Sequence, residues 1–133
     1  MEDGLREKLG VKLWSKVCLF RAPKEIRSLF MKGDLKLTVN YAEEGCDTVL
    51  FWPCPGDDIG EIFRGLEGQI QPNGRIWLVL PHKEEALERG LVQDWSEMQK
   101  TILSRTNLVD NKTLSFGNGE YGTQFVIRKD ARE

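Results

Sequence analysis

The chain has 133 residues, 40% of them hydrophobic and 30% charged, with a net charge of −2 and a pI of about 5.6. A chain of that size and balance makes one domain with one core, and it is too apolar to stay disordered. The faint negative charge, without any long Lys/Arg run, excludes a nucleic-acid or anionic-membrane surface, and no apolar stretch nears the roughly eighteen residues of a membrane span. Met1, Glu2, Asp3 and Gly4 make an acidic start where a signal peptide would be basic, and the three cysteines have no metal-ligand spacing. Both features suit a cytoplasmic protein with reduced, unpaired thiols and no bound metal.

Leu5, Leu9 and Leu13 recur at a period near four, which predicts a short lead-in helix or arm over 4–12, weakened by Gly10. Val17, Cys18, Leu19 and Phe20 form a continuous apolar strand over 16–20. Pro23 then suits a helix start, Ile26, Leu29 and Phe30 make its buried face, and Gly33 stops it. Leu35, Leu37 and Val39 alternate with Lys36, Thr38 and Asn40, as in a strand near a sheet edge. Residues 41–45 are too few for a helical crossover to the next strand. Either the chain crosses the sheet there without a helix, or one of the two strands is antiparallel.

The central stretch is the most informative. Residues 47–52 and 75–80 are short runs that are apolar at nearly every position. Between them Ile59, Ile62, Phe63, Leu66 and Ile70 mark one stripe of a helix over 57–70, and Pro72-Asn73-Gly74 reads as a turn. Strand, helix, strand with both strands covered on each face is a βαβ unit in a parallel sheet. Asp94 and Glu97 read as a capping box for a helix with Trp95, Met98, Ile102 and Leu103 inward. Residues 108–116 and 123–128 read as a hairpin around the turn Gly117-Asn118-Gly119-Glu120-Tyr121-Gly122, with Phe125, Val126 and Ile127 inserted in the sheet. The expected fold is therefore a three-layer α/β sandwich: a mostly parallel central sheet and a C-terminal antiparallel hairpin.

This order of elements resembles the Rossmann-like (class I) methyltransferases with one strand and its helix left out. Residues 66–81, Leu-Glu-Gly-Gln-Ile-Gln-Pro-Asn-Gly-Arg-Ile-Trp-Leu-Val-Leu-Pro, are similar to the helix, turn and strand that open the far half of that fold. Leu9-Gly10-Val11-Lys12, Arg21-Ala22-Pro23 and Leu108-Val109-Asp110-Asn111-Lys112 resemble stretches of a bacterial family of small methyltransferase-like proteins, truncated relatives of the same fold. The resemblance implies S-adenosylmethionine as cofactor, held by a glycine-rich loop after the first strand and an acidic residue ending the second. Here those places read Phe20-Arg21-Ala22-Pro23-Lys24 and Asn40-Tyr41, with no glycine and no carboxylate. The expectation is accordingly no cofactor and a non-catalytic binding or regulatory domain. The alternative is a minimal S-adenosylmethionine-dependent methyltransferase.

Ligands of open α/β sheets collect beyond the carboxyl ends of the strands, which selects the candidates. His82, the lone histidine, follows a central strand and could serve as a base, although a solvated loop histidine explains it as well. Asp57 and Asp58 face the same crevice, where helix capping accounts for both. Arg21 and Lys24 could hold an anion, Asn40 ends the second strand, and Cys54 stands between Pro53 and Pro55. A Pro-Cys pair after this strand also resembles the nucleophile of cytosine-5 methyltransferases, but without their basic surface. The four tryptophans are expected in the core. The hairpin edge leaves room for a homodimer.

Overall fold

The computed structural model describes residues 4–81, 85, 88–90, 95–117 and 119–131. Helix α1 (Leu5–Lys8) leads into strand β1 (Lys16–Phe20), helix α2 (Lys24–Phe30) and strand β2 (Lys36–Val39). Strand β3 (Cys46–Phe51), helix α3 (Ile59–Glu67) and strand β4 (Ile70–Pro81) form the central unit. Helix α4 (Trp95–Arg105) and the hairpin β5 (Leu108–Gly117) and β6 (Glu120–Ile127) complete the fold.

The six strands lie in the order β2-β1-β3-β4-β6-β5. The first four are parallel, and β6 runs antiparallel between β4 and β5, so the last strand is inserted as its apolar residues demand. Strands β2 and β3 flank β1 from opposite sides and both run parallel to it. The short 41–45 segment therefore returns from the carboxyl end of β2 to the amino end of β3 without a helix, and β2 is parallel to its neighbour. The strand order also explains the alternation at 35–39, because β2 is an edge.

The continuous apolar runs alternate between two cores. Val49, Phe51, Ile76, Leu78 and Leu80 face α3 and α4, joining Phe63, Leu66, Met98 and Ile102. Leu50, Trp52, Trp77 and Val79 face the other side, joining Leu5, Leu9, Ile26 and Phe30 of α1 and α2. From Val49 to Trp52 and from Ile76 to Leu80 every residue meets one core or the other, which is why those positions are all apolar. Arg6 ties α1 to the turn after α2, with its guanidinium gripping Asp34 at 2.9 and 3.1 Å. That hydrogen-bonded pairing holds the Asp34 carboxyl below the usual carboxylate range.

Five expectations need correction. The hairpin turn is shorter than 117–122, because Glu120, Tyr121 and Gly122 already pair with β4 and β5 as the start of β6. The turn at Pro72-Asn73-Gly74 lies inside β4: Cys46 pairs with Ile70 while Thr48 pairs with Arg75, so the extra residues bulge out of the ladder. Its turn chemistry is real, but it kinks a strand instead of ending one, and α3 stops at Glu67, short of Ile70. Trp14, Trp95 and Leu103 are not core residues, being 65%, 39% and 39% exposed, and Leu13 is likewise exposed. Trp95 lies at the start of α4, where its indole N–H donates to Thr123 Oγ1 at 2.8 Å. The Asp94 half of the proposed capping box lies outside the described residues. Finally, Cys18 and Cys46 are not free thiols. They join β1 to β3 in a disulfide with Cα atoms 7.0 Å apart, leaving Cys54 free. A separation of 28 residues gives no hint of that pairing; strand order alone creates it.

Among the described residues, no helix is long and apolar enough to cross a membrane, and no group of three or more His, Cys, Asp or Glu is placed to hold a metal.

Candidate functional site

The carboxyl ends of β1, β2, β3 and β4 open on one edge of the sheet, and Arg21 is the hub there. It follows β1 directly with φ of 58°, in the left-handed region that glycine favours. Its backbone N–H donates to Asn40 Oδ1 at 2.8 Å, across from β1 to the end of β2. Its Nε–H donates to the Trp52 carbonyl at 3.0 Å, beyond β3. Its terminal nitrogen makes a close ion pair with Asp57. The guanidinium carbon sits 5.1 Å from the centroid of the Phe51 ring, a cation–π contact. One side chain thus closes the gap between the ends of β1 and β3.

Asp57 is fixed from two sides, since its Oδ2 also accepts from the Cys54 N–H at 2.8 Å. Asp58 does the capping that sequence assigns to both: it is the N-cap of α3 and accepts from the Glu61 N–H at 3.2 Å. Its other partner is Arg105 of α4, at 3.2 Å and away from the crevice. Arg21, Asn40, Asp57 and the Cys54 backbone are therefore brought together, while Asp58 serves the helix. Lys24 opens α2, is exposed, and does not line the cavity described next. His82 lies outside the described residues.

Beside this cluster is a cavity of about 260 Å³, walled by Pro23, Pro53, Pro55, Pro81, Val79 and Trp52. Arg21, Cys54, Arg89 and Glu120 also line it. Glu120 is absent from the sequence candidates. It begins β6 opposite Pro81, and only 6% of it is exposed. Its Oε2 accepts from the buried indole N–H of Trp52 at 3.1 Å. Burial pushes the Glu120 carboxyl above the ordinary range, with the Trp52 hydrogen bond and the Arg89 charge opposing.

An acid whose folded pKa is raised holds its proton more firmly folded than unfolded. Its charge then costs stability above the ordinary glutamate pKa, and the cost fades as pH falls. Glu120→Gln keeps an acceptor for Trp52 and removes the charge. It is expected to melt at a higher temperature than the parent at neutral pH, with the gap closing as the pH falls below about 4.5. Paired thermal melts across pH check this; equal melting temperatures at pH 7 would contradict it.

No family model matches the chain, and no curated protein matches its sequence. Solved structures do. The N-methyltransferase NodS of Bradyrhizobium japonicum superposes with a TM-score of 0.68 at 11% identity, over 91% of this chain and 90% of that one. The fold is that of the Rossmann-like class I methyltransferases. A TehB-like S-adenosylmethionine-dependent methyltransferase of Corynebacterium glutamicum gives 0.60 at 8% identity, covering 95% of this chain and 87% of the other. DhpI, in its complex with SAH, gives 0.62 at 10%, covering 96% and 83%.

The methyltransferase-like fold makes adenosylmethionine the natural cofactor to test against these residues, and they do not fit it in this arrangement. The positive φ after β1 is present, but an arginine occupies it, and its side chain spans the ends of β1 and β3 where a glycine loop would admit a ligand. Pro23 offers no N–H to a ligand. Asn40, at the end of β2, accepts from Arg21 in place of a carboxylate accepting ribose hydroxyls.

Proposed function

We propose that this chain is a non-catalytic binding domain, a methyltransferase-like fold that takes a small ligand at the strand-end crevice instead of S-adenosylmethionine. The observation that carries the reading is Arg21: three separate groups, Asn40, Trp52 and Asp57, hold it in the place of a glycine cradle. A ligand entering between β1 and β3 must break an ion pair and leave Asp57 without its guanidinium, a cost no glycine loop imposes. Isothermal titration with S-adenosylmethionine tests this. No saturable heat is expected, and a micromolar Kd overturns the reading.

The solved neighbours favour a second reading, a minimal S-adenosylmethionine-dependent methyltransferase, and at the level of fold they support it at least as well. Two of them are methyltransferases by name and a third was captured with SAH. On that reading Asp57 must be released from Arg21, and His82 is the candidate base. Methyl transfer that survives His82→Ala unchanged removes His82 from that role.

A further inference from the structure

We propose that the cavity beside Trp52 binds a small organic cation, an amine or amidine carried on a flat apolar body, with the Glu120 carboxylate as its counter-charge.

The charges that line the cavity do not balance one another. Arg21 is matched by Asp57, and Arg89 by Glu85 at 2.6 Å. Glu120 is the carboxylate left over. Among the described residues its hydrogen-bond donor is the neutral Trp52 indole, and no guanidinium or ammonium of theirs lies within ion-pair distance of it. A carboxylate nine-tenths buried without a cation is costly to keep, and a cation supplied by a ligand relieves that cost. Burial dominates the environment of this carboxyl, and the Arg89 charge opposes it only in part.

The walls set the rest of the ligand. Proline rings and Val79 are rigid, apolar and without side-chain hydrogen-bonding groups, and Pro81, at the end of β4, is paired with Glu120 on β6. They suit the body of a ligand and not a hydrated headgroup. A volume of about 260 Å³ admits something the size of one substituted ring and excludes a nucleotide. Trp52 is locked edge-on against Phe116, ring centroids 6.0 Å apart, so the donor that orients Glu120 is itself held in place.

This inference deepens the binding reading above and fails separately from it. Adenosylmethionine binding overturns that reading, whereas indiscriminate binding of the probes below overturns only this one. The full chain is titrated with benzylammonium, benzyl alcohol and benzoate, followed by the Trp52 indole N–H resonance. Benzylammonium is expected to bind about tenfold or more tighter than the alcohol, the scale of one charge-assisted hydrogen bond, and benzoate more weakly than either. Glu120→Gln, which should fold at least as well as the parent, is expected to bind ammonium and alcohol alike. Arg89→Gln, an exposed change that removes an opposing charge, is expected to tighten benzylammonium. Equal binding of ammonium and alcohol, preference for benzoate, or no saturable shift with benzylammonium overturns the proposal, as does weaker benzylammonium binding in Arg89→Gln.

Discussion

Phe63→Ala is expected to destabilise the protein by about 3–5 kcal/mol, the range for emptying a large aromatic from a closed core. Phe63 is fully buried on α3. Its ring stands edge-on to Phe51 of β3 at 5.6 Å and to Phe125 of β6 at 5.9 Å. It therefore joins the parallel half of the sheet to the hairpin half through one helix. Strands β3 and β6 have β4 between them, so the backbone cannot collapse into the void. Urea denaturation should show the loss as a lower midpoint at unchanged slope. A loss below about 1 kcal/mol would mean that α3 does not pack as described. The same variant reaches the site, because Phe51 carries the Arg21 guanidinium on its ring.

Gly122→Ala is expected to cost about 1–3 kcal/mol through overpacking, although alanine suits a strand better than glycine does. A Cβ at this position would stand 2.3 Å from one Phe116 ring carbon, 3.0 Å from another and 3.0 Å from a ring carbon of Trp77. Both rings are buried and packed edge-on with centroids 5.9 Å apart, so neither moves alone. Phe116 also touches Trp52, the donor to Glu120. The variant should therefore shift the Trp52 indole N–H resonance as well as lower the denaturation midpoint. A neutral or stabilising Gly122→Ala would contradict the packing of this face.

Both runs flanking α3 announce their strands because each residue meets apolar neighbours on one face or the other. Asp58 likewise announces the helix start through its own chemistry. Other features depend on strand order, which no local pattern carries. Cys18 and Cys46 meet only because β3 returns beside β1. Pro72-Asn73-Gly74 has the composition of a turn, and only the pairing of Ile70 with Cys46 makes it a bulge within one strand. Trp14 and Trp95 carry apolar rings but sit at element boundaries, where exposure depends on neighbours far off in sequence.

The site was half legible. The rule that ligands gather at strand ends led to Arg21, Asn40, Cys54 and Asp57. What sequence could not supply was that Arg21 reaches across the strand ends to Asn40, the Trp52 carbonyl and Asp57 at once. Glu120 was missed because its stretch, Gly117 to Gly122, has the composition of a turn. Only its pairing with Pro81 makes it the first residue of β6, at the carboxyl end of β4.

The central claim is that Arg21 fills the space a cofactor would need. A crystal structure of the full chain grown with millimolar SAH measures this directly. The account predicts the Arg21 guanidinium over the Phe51 ring, paired with Asp57, and no nucleoside between the ends of β1 and β2. Arg21 swung outward with SAH seated against residues 20–24 would contradict it.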